Sequence, residues 1–370
     1  MSAPKNRRIN QEIKMDEIKT TQNEGQKLAF QSDYMEGAHP AIIKKLAETN
    51  LLHTSGYGSD EFCEEARTLI RKACETPDAQ IQFLTGGTQT NSTVIDCLLK
   101  KWQGVIAAES GHVAVHEAGA VEYTGHKVIV LKAQNGKLSA KTIETYIKDF
   151  YADANWEHMV EPGMVYISQP TEFGTIYSKQ ELSDISKVCR QHKIPLFADG
   201  ARLAYALGSK ENDVSLKDLA RLTDVFYIGG TKCGTLFGEA VVVPKPELIP
   251  HFLTQIKQHG ALLAKGRLLG IQFAELFKNN LYLELGKTAD SYAQKIQDAL
   301  TAAGYKLYFV SPTNQVFFVI ENSKLQPLEQ KVMYGFMEKY DENHTVIRFC
   351  TSWATTENDV EKLLQVIKEM

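Results

Sequence analysis

Two kinds of segment alternate along most of the chain. Short apolar runs carry almost no polar interruption: Ile81–Leu84, Val105–Ala108, Lys127–Leu131, Met164–Ile167, Leu196–Ala198, Val225–Ile228 and Ala240–Val243. They are too short for helices and rich in β-branched residues, so each predicts a strand buried on both faces. Between them Ser92–Lys101, Thr142–Tyr151 and Ser178–Lys193 read as helices. The last opens on Ser178 with Glu181 three residues on, the pattern of a capping box. Such alternation predicts an α/β fold, a mainly parallel sheet flanked by helices.

From Pro246 the pattern turns helical and continues, with interruptions, through Asp298. Leu262, Leu263, Leu268, Leu269, Ile271, Phe273, Leu276 and Phe277 keep helical spacing there. After Gly304 it changes again. Lys306–Val310, Gln315–Ile320 and Thr345–Cys350 predict strands, and Thr356–Glu369 a closing helix. We therefore expect a flexible N-terminal tail over 1–28, a large domain over 29–275 and a smaller α+β C-terminal domain over 276–370. The start of the tail is polar and charged with no signal-peptide pattern, and Met15 is an alternative first residue.

Composition narrows the function classes. At 370 residues, with 43% hydrophobic and 23% charged, the chain can build a sizeable core. A net charge of −4 supplies no footprint for nucleic acid or an acidic membrane surface. No apolar run approaches the ~20 residues that span a bilayer. Six cysteines are scattered without a CxxC pair, which predicts reduced thiols in a cytoplasmic protein and neither a disulfide framework nor a metal site. Cys233, beside Lys232, is a candidate reactive thiol.

Candidate chemistry sits just past the predicted strand ends. In LTGGTQTNST (84–93) a strand leads through Gly86 and Gly87 into a helix, with Thr88 as the expected N-cap. Open amides at a helix start make an anion or phosphate site. In IPLFADGARLAYAL (194–207) a buried strand delivers Asp199 at its C-terminal end, where open parallel sheets bind ligands, with Arg202 close behind. In DVFYIGGTKCGTLFGEAVVV (224–243) Lys232 is boxed in by glycines between two buried runs. A lysine so placed is desolvated, loses basicity and becomes a nucleophile that forms Schiff bases. A phosphate cradle, a buried acid and such an amine together fit pyridoxal 5′-phosphate: the amine takes the aldehyde, the acid pairs the ring nitrogen and the amides hold the phosphate. His112, in ESGHVAVHEAGA (109–120), is placed to stack on the ring and carry protons, while His116 is expected to face elsewhere.

These stretches, with FQSDY (30–34), GYGSD (56–60), QPTEFGTIY (169–177), GGTKCG (229–234) and IRFCTSW (347–353), resemble the threonine aldolases of the aldolase/β-eliminating lyase group. The resemblance covers residues 30 to about 355 and implies the aspartate-aminotransferase-like fold of pyridoxal phosphate enzymes. It implies roles residue by residue. Lys232 matches the Schiff-base lysine, Asp199 the ring-nitrogen partner, Gly87 and Thr88 the phosphate cradle, and His112 the stacking histidine. Arg202 and Arg348 match the pair that grips the substrate carboxylate, with Ser32 beside them, and Arg202 also lies against the cofactor. Tyr57 matches an aromatic lent by a partner subunit. Lys257 stands where many relatives send an arginine toward the phosphate. Gly229 and Gly230 are expected to let the backbone approach the cofactor. Where many relatives carry Thr-His, this chain has Thr171-Glu172, so His112, Glu172 or a water they hold is the expected base.

The implied activity is retro-aldol cleavage of threonine, allo-threonine and related β-hydroxy-α-amino acids to glycine and an aldehyde. The implied assembly is a homodimer or homotetramer with the site at the subunit interface. Other pyridoxal phosphate chemistry on an amino acid, β-elimination or transamination, needs Lys232 and Asp199 equally. A non-catalytic binding protein on the same fold would not need the lysine.

Overall fold

A computed structural model describes residues 27–370; most of the expected N-terminal tail lies outside the described residues. The strands in chain order are β1 (Leu28–Ala29), β2 (Gln80–Leu84), β3 (Gln103–Ala108), β4 (Lys127–Leu131), β5 (Glu161–Ser168), β6 (Leu196–Asp199), β7 (Val225–Gly229), β8 (Glu239–Val243), β9 (Leu307–Phe309), β10 (Gln315–Glu321), β11 (Val332–Met333), β12 (Gly335–Lys339) and β13 (His344–Cys350). Seven of them form the main sheet, in the order β2-β8-β7-β6-β5-β3-β4. The pairings among β7, β6, β5, β3 and β4 are parallel, as the alternation predicts, whereas β8 runs antiparallel to both β2 and β7. Central strands are buried along nearly their whole length, while the edge strands β2 and β4 have partly exposed positions.

The two-residue period divides the side chains between the sheet's faces. Met164, Tyr166, Phe197, Val225 and Tyr227 join one apolar cluster, to which the helix Gly87–Leu98 contributes Val94 and Ile95. Val165, Ile167, Ala198, Phe226 and Ile228 join the other, with Ile185 and Val188 from the helix Lys179–His192. The predicted capping box at Ser178 and Glu181 is formed.

The C-terminal region is a four-stranded antiparallel sheet, β12-β13-β10-β9, with its own apolar cluster built with the helices Leu281–Ala302 and Glu357–Glu369. A division at 275 falls inside the helix Arg267–Phe277; the chain bends after it, where Asn279 and Asn280 take positive φ. Leu28, expected in the tail, pairs with Val332 in a short parallel ladder between β1 and β11.

Sheet topology places the site. β6 ends on Asp199 and β7 on Gly229, side by side and in the same direction. Because β8 is reversed, it starts at this same edge, with Glu239 between Leu84 of β2 and Gly229 of β7. The glycines here serve backbone packing. A Cβ on Gly229 would run into the carbonyls of Gly200 and Ala201, and one on Gly230 into that of Gly238. Gly234 takes φ +106°, a value side chains strongly disfavour.

Gly229→Ala should therefore lower the unfolding free energy by ~1–3 kcal/mol, since backbone must move to admit the methyl group. Gly37→Ala, where the new Cβ meets only a leucine methyl at 3.8 Å, should stay within ~0.5 kcal/mol. Urea denaturation of both variants measures the contrast.

Candidate active site

The loops beyond β3, β5, β6 and β7 and the start of the helix Gly87–Leu98 enclose a narrow cleft. Gly87, His112, Ser168, Glu172, Asp199, Arg202, Tyr227 and Lys232 line it. Larger hollows exist, one of about 610 Å³ beside Lys137, but the amine and acid there, Lys137 and Glu181, are closed into an ion pair at 2.7 Å.

Lys232 sits on a turn tied down by its neighbours. Gly230 N and Thr231 N donate to Gly238 O, while Gly230 N and Thr231 Oγ1 also reach the carboxylate of Glu239. Its amine makes no hydrogen bond among the described residues. Burial and the nearby guanidinium of Arg202 lower its pKa, against the pull of Asp33, Asp199 and Glu239. Burial in turn pushes Glu239 up to about 8. The reactive-thiol reading of Cys233 fails: the side chain is fully buried and its pKa is raised to about 12.

Asp199 is held by four donors. Tyr227 Oη and the amide of Ala201 reach Oδ1 at 2.5 and 2.9 Å; Tyr166 Oη and Asn91 Nδ2 reach Oδ2 at 2.6 and 2.9 Å. Tyr166 and Tyr227 project from the same sheet face, so strand register alone brings their hydroxyls to this carboxylate.

The helix start is open. Gly86, not Thr88, is the N-cap, and no side chain caps it. The first helical amide bonded to backbone is that of Thr90, leaving those of Gly87 and Thr88 without a backbone partner among the described residues. A Cβ on Gly86 would meet nothing within 4 Å.

Arg202 is committed differently from the sequence expectation. Its Nε and Nη2 hold the buried Asp33 in a fork, at 2.6 and 3.0 Å, and Asn314 Nδ2 adds a third bond at 3.0 Å. Burial opposes ionisation of Asp33, but Arg202 and Lys232 outweigh it and hold the carboxyl at about 2. A bidentate grip on substrate through the same edge of Arg202 is therefore unavailable. Arg348 lies on β13, with Nη1 on Gln315 Oε1 at 2.8 Å and Nη2 on Gln31 O at 3.1 Å; its buried Nε has no partner. Ser32 stands between Gln31 and Asp33, so one short segment touches both arginines.

His112 and Glu172 meet. Glu172 Oε1 accepts from Ser168 Oγ at 2.7 Å and from the backbone amide of His112 at 2.9 Å, and burial raises its pKa. His116 is not among the residues that line the cleft, but lies beside His112. It closes the single turn His112–Val115, four residues on, which returns it to the same side with its ring 5.8 Å from that of His112. Tyr57 and Lys257 are absent from the cleft; they meet each other, the amine 4.5 Å from the centre of the Tyr57 ring. Among the described residues no cluster of His, Cys, Asp and Glu is arranged to hold a metal ion, and no helix is long and apolar enough to cross a membrane.

The sequence model of the beta-eliminating lyase family matches residues 29–323. The chain belongs to that family. This beta-eliminating lyase is 30% identical over 347 residues to a low-specificity L-threonine aldolase of Pseudomonas sp., a match spanning 92% of this chain and 96% of the relative. It is 29% identical over 349 residues to a low-specificity L-threonine aldolase of Pseudomonas aeruginosa, with the same coverage. Among solved structures, a Leishmania major threonine aldolase superposes with a TM-score of 0.90 at 44% identity, over 92% of this chain and 98% of that one. A Thermus thermophilus aspartate aminotransferase, at 14% identity and a TM-score of 0.68 over 94% and 92% of the two chains, shares the fold. Lyases of this family and fold depend on pyridoxal 5′-phosphate. The residues present fit it: an unbonded amine of lowered pKa, open helix amides and a buried acid surround one cleft.

The Asp33–Arg202 pair yields a pH prediction. The carboxyl pKa falls from 3.8 to about 2 on folding, so its contribution is present above pH 3.8 and lost as pH drops through 2. The gap in unfolding free energy between the wild-type protein and Asp33→Asn should narrow by ~2 kcal/mol between pH 5 and pH 2. Urea titrations across that range measure it; a constant gap would contradict the pairing.

Proposed function

We propose that this lyase cleaves the Cα–Cβ bond of β-hydroxy-α-amino acids, L-threonine and L-allo-threonine among them, releasing glycine and an aldehyde. The observation that carries the reading is the unbonded Lys232 amine, its pKa lowered by burial and Arg202, at the edge where Asp199, His112 and the open helix start converge. Pyridoxal 5′-phosphate, when bound, supplies the electron sink for the pair left on Cα.

This chain's residues do the rest. Lys232 tethers the cofactor by its amine. The amides of Gly87 and Thr88 take phosphate oxygens, favoured by the positive end of the helix. Asp199, held in place by four protein donors, would pair with the ring nitrogen. His112, on the turn after β3, would cover the ring. Arg348 and the Nη1 of Arg202, the nitrogen that Asp33 does not engage, would orient the substrate carboxylate with help from Ser32. That grip would fix the direction of the substrate's Cα–Cβ bond within the cleft. His112 and Glu172 are the groups placed to take the β-hydroxyl proton.

The assembly we propose is a homodimer or homotetramer in which Tyr57 and Lys257 serve the partner's cleft, Lys257 toward the phosphate. Their contact with each other, away from their own Lys232, supports this reading, as do the exposed apolar side chains of Leu51, Leu52 and Tyr57 on one short stretch. The six free cysteines, five of them buried, support a reducing compartment, the cytoplasm.

The cofactor-loaded protein given L-threonine or L-allo-threonine should form acetaldehyde and glycine in equal amounts, and phenylserine should give benzaldehyde. Pyruvate or another keto acid without aldehyde would overturn the proposal in favour of elimination or transamination.

A further inference from the structure

A line of buried polar groups runs behind His112, and phosphate and carboxylate binding make no use of it. Glu117 is buried to its tip, with a side chain 0% exposed. Its Oε1 accepts from Asn91 Nδ2 at 2.7 Å and stands 2.7 Å from Nδ1 of His112. Asn91, also fully buried, directs the same amide nitrogen to Asp199 Oδ2 at 2.9 Å. Its orientation is thereby fixed, because the flipped amide would set its oxygen against two carboxylates. Oε1 of Glu117 is then an acceptor, so the hydrogen between it and the imidazole is donated by Nδ1. Nε2 has no partner among the described residues, and the side chain retains 33% exposure on the cleft. A filler at position 117 would be apolar: sealing a carboxylate away is costly, and Glu117 Oε2 finds no partner at all.

We infer that Glu117 is a positioning residue for the cleavage: it fixes His112 as the Nδ1–H tautomer and so makes Nε2 the acceptor of the β-hydroxyl proton. This rests on the function proposed above. The substrate O–H bond breaks and its proton goes to Nε2. The oxygen's electron pair closes the aldehyde carbonyl, and the pair of the broken Cα–Cβ bond stays at Cα. His112 later gives the proton to water, and Cα takes one from water. Glu172 works from the other side, fastening the His112 backbone amide, so main chain and ring are held independently. The arrangement follows the general logic by which a buried carboxylate sets the tautomer of a catalytic imidazole.

Nitrogen-15 NMR of histidine-labelled protein, with and without cofactor, reads the tautomer without turnover, so its outcome is separate from that of the reaction assay. His112 should carry its proton on Nδ1 in the wild-type protein and in Glu117→Gln, where the side-chain oxygen replaces Oε1 and Asn91 forbids the flip. Glu117→Leu should lose that preference. It should also lower kcat about 10- to 100-fold, with KM and cofactor affinity within about threefold, while Glu117→Gln stays within about tenfold of wild type. An Nε2–H tautomer in the wild-type protein, an unchanged kcat in Glu117→Leu, or a Glu117→Gln variant as slow as Glu117→Leu overturns the inference. Should Glu117→Leu fail to fold, the wild-type tautomer and Glu117→Gln decide it.

Discussion

Two cations, Lys232 and Arg202, stand at the same sheet edge, and the guanidinium of Arg202 depresses the pKa of the Lys232 amine. Buried charges need partners. Asp33 supplies one for Arg202 from the N-terminal segment, in a fork tight enough to hold its own pKa at about 2. Lys232 receives no such direct bond. It feels Asp33, Asp199 and Glu239 at longer range, and its pKa still falls. The site thus separates a guanidinium held by Asp33 through one edge, which organises the fold, from an amine left free to react.

That separation depends on where three stretches of chain meet. β6 and β7 run parallel and end together, which delivers Asp199 and the lysine turn; β8 runs against them, which delivers Glu239 to the base of that turn. The C-terminal sheet closes the arrangement, with Asn314 on Asp33 and Gln315 between Arg348 and the backbone of Glu172. Proton chemistry is assembled on the opposite wall from the His112 turn and the loop after β5.

Much of this was legible in the sequence, for a physical reason. Central parallel strands must be apolar on both faces, so Val225–Ile228 and Leu196–Ala198 announce themselves as uninterrupted runs, and polar residues just past them mark the ligand edge. β11 and β12 have no such signature: Val332–Met333 is two residues long, and Gly335–Lys339 is largely exposed. Asp33 was quoted within a motif, but its partner lies 169 positions away, and nothing local distinguishes a buried acid from a loop acid. Asn91 and Glu117 were equally silent. Glu239 carried a usable signal, a charge opening a fully buried run, the same one that drew attention to Lys232.

Borohydride reduction of the cofactor-loaded protein, followed by proteolysis and mass spectrometry, tests the central assignment most directly. The account predicts a single modified peptide, with the pyridoxyl phosphate mass on Lys232 and none on Lys232→Ala. A modification on any other lysine, or an equal yield in Lys232→Ala, would contradict it.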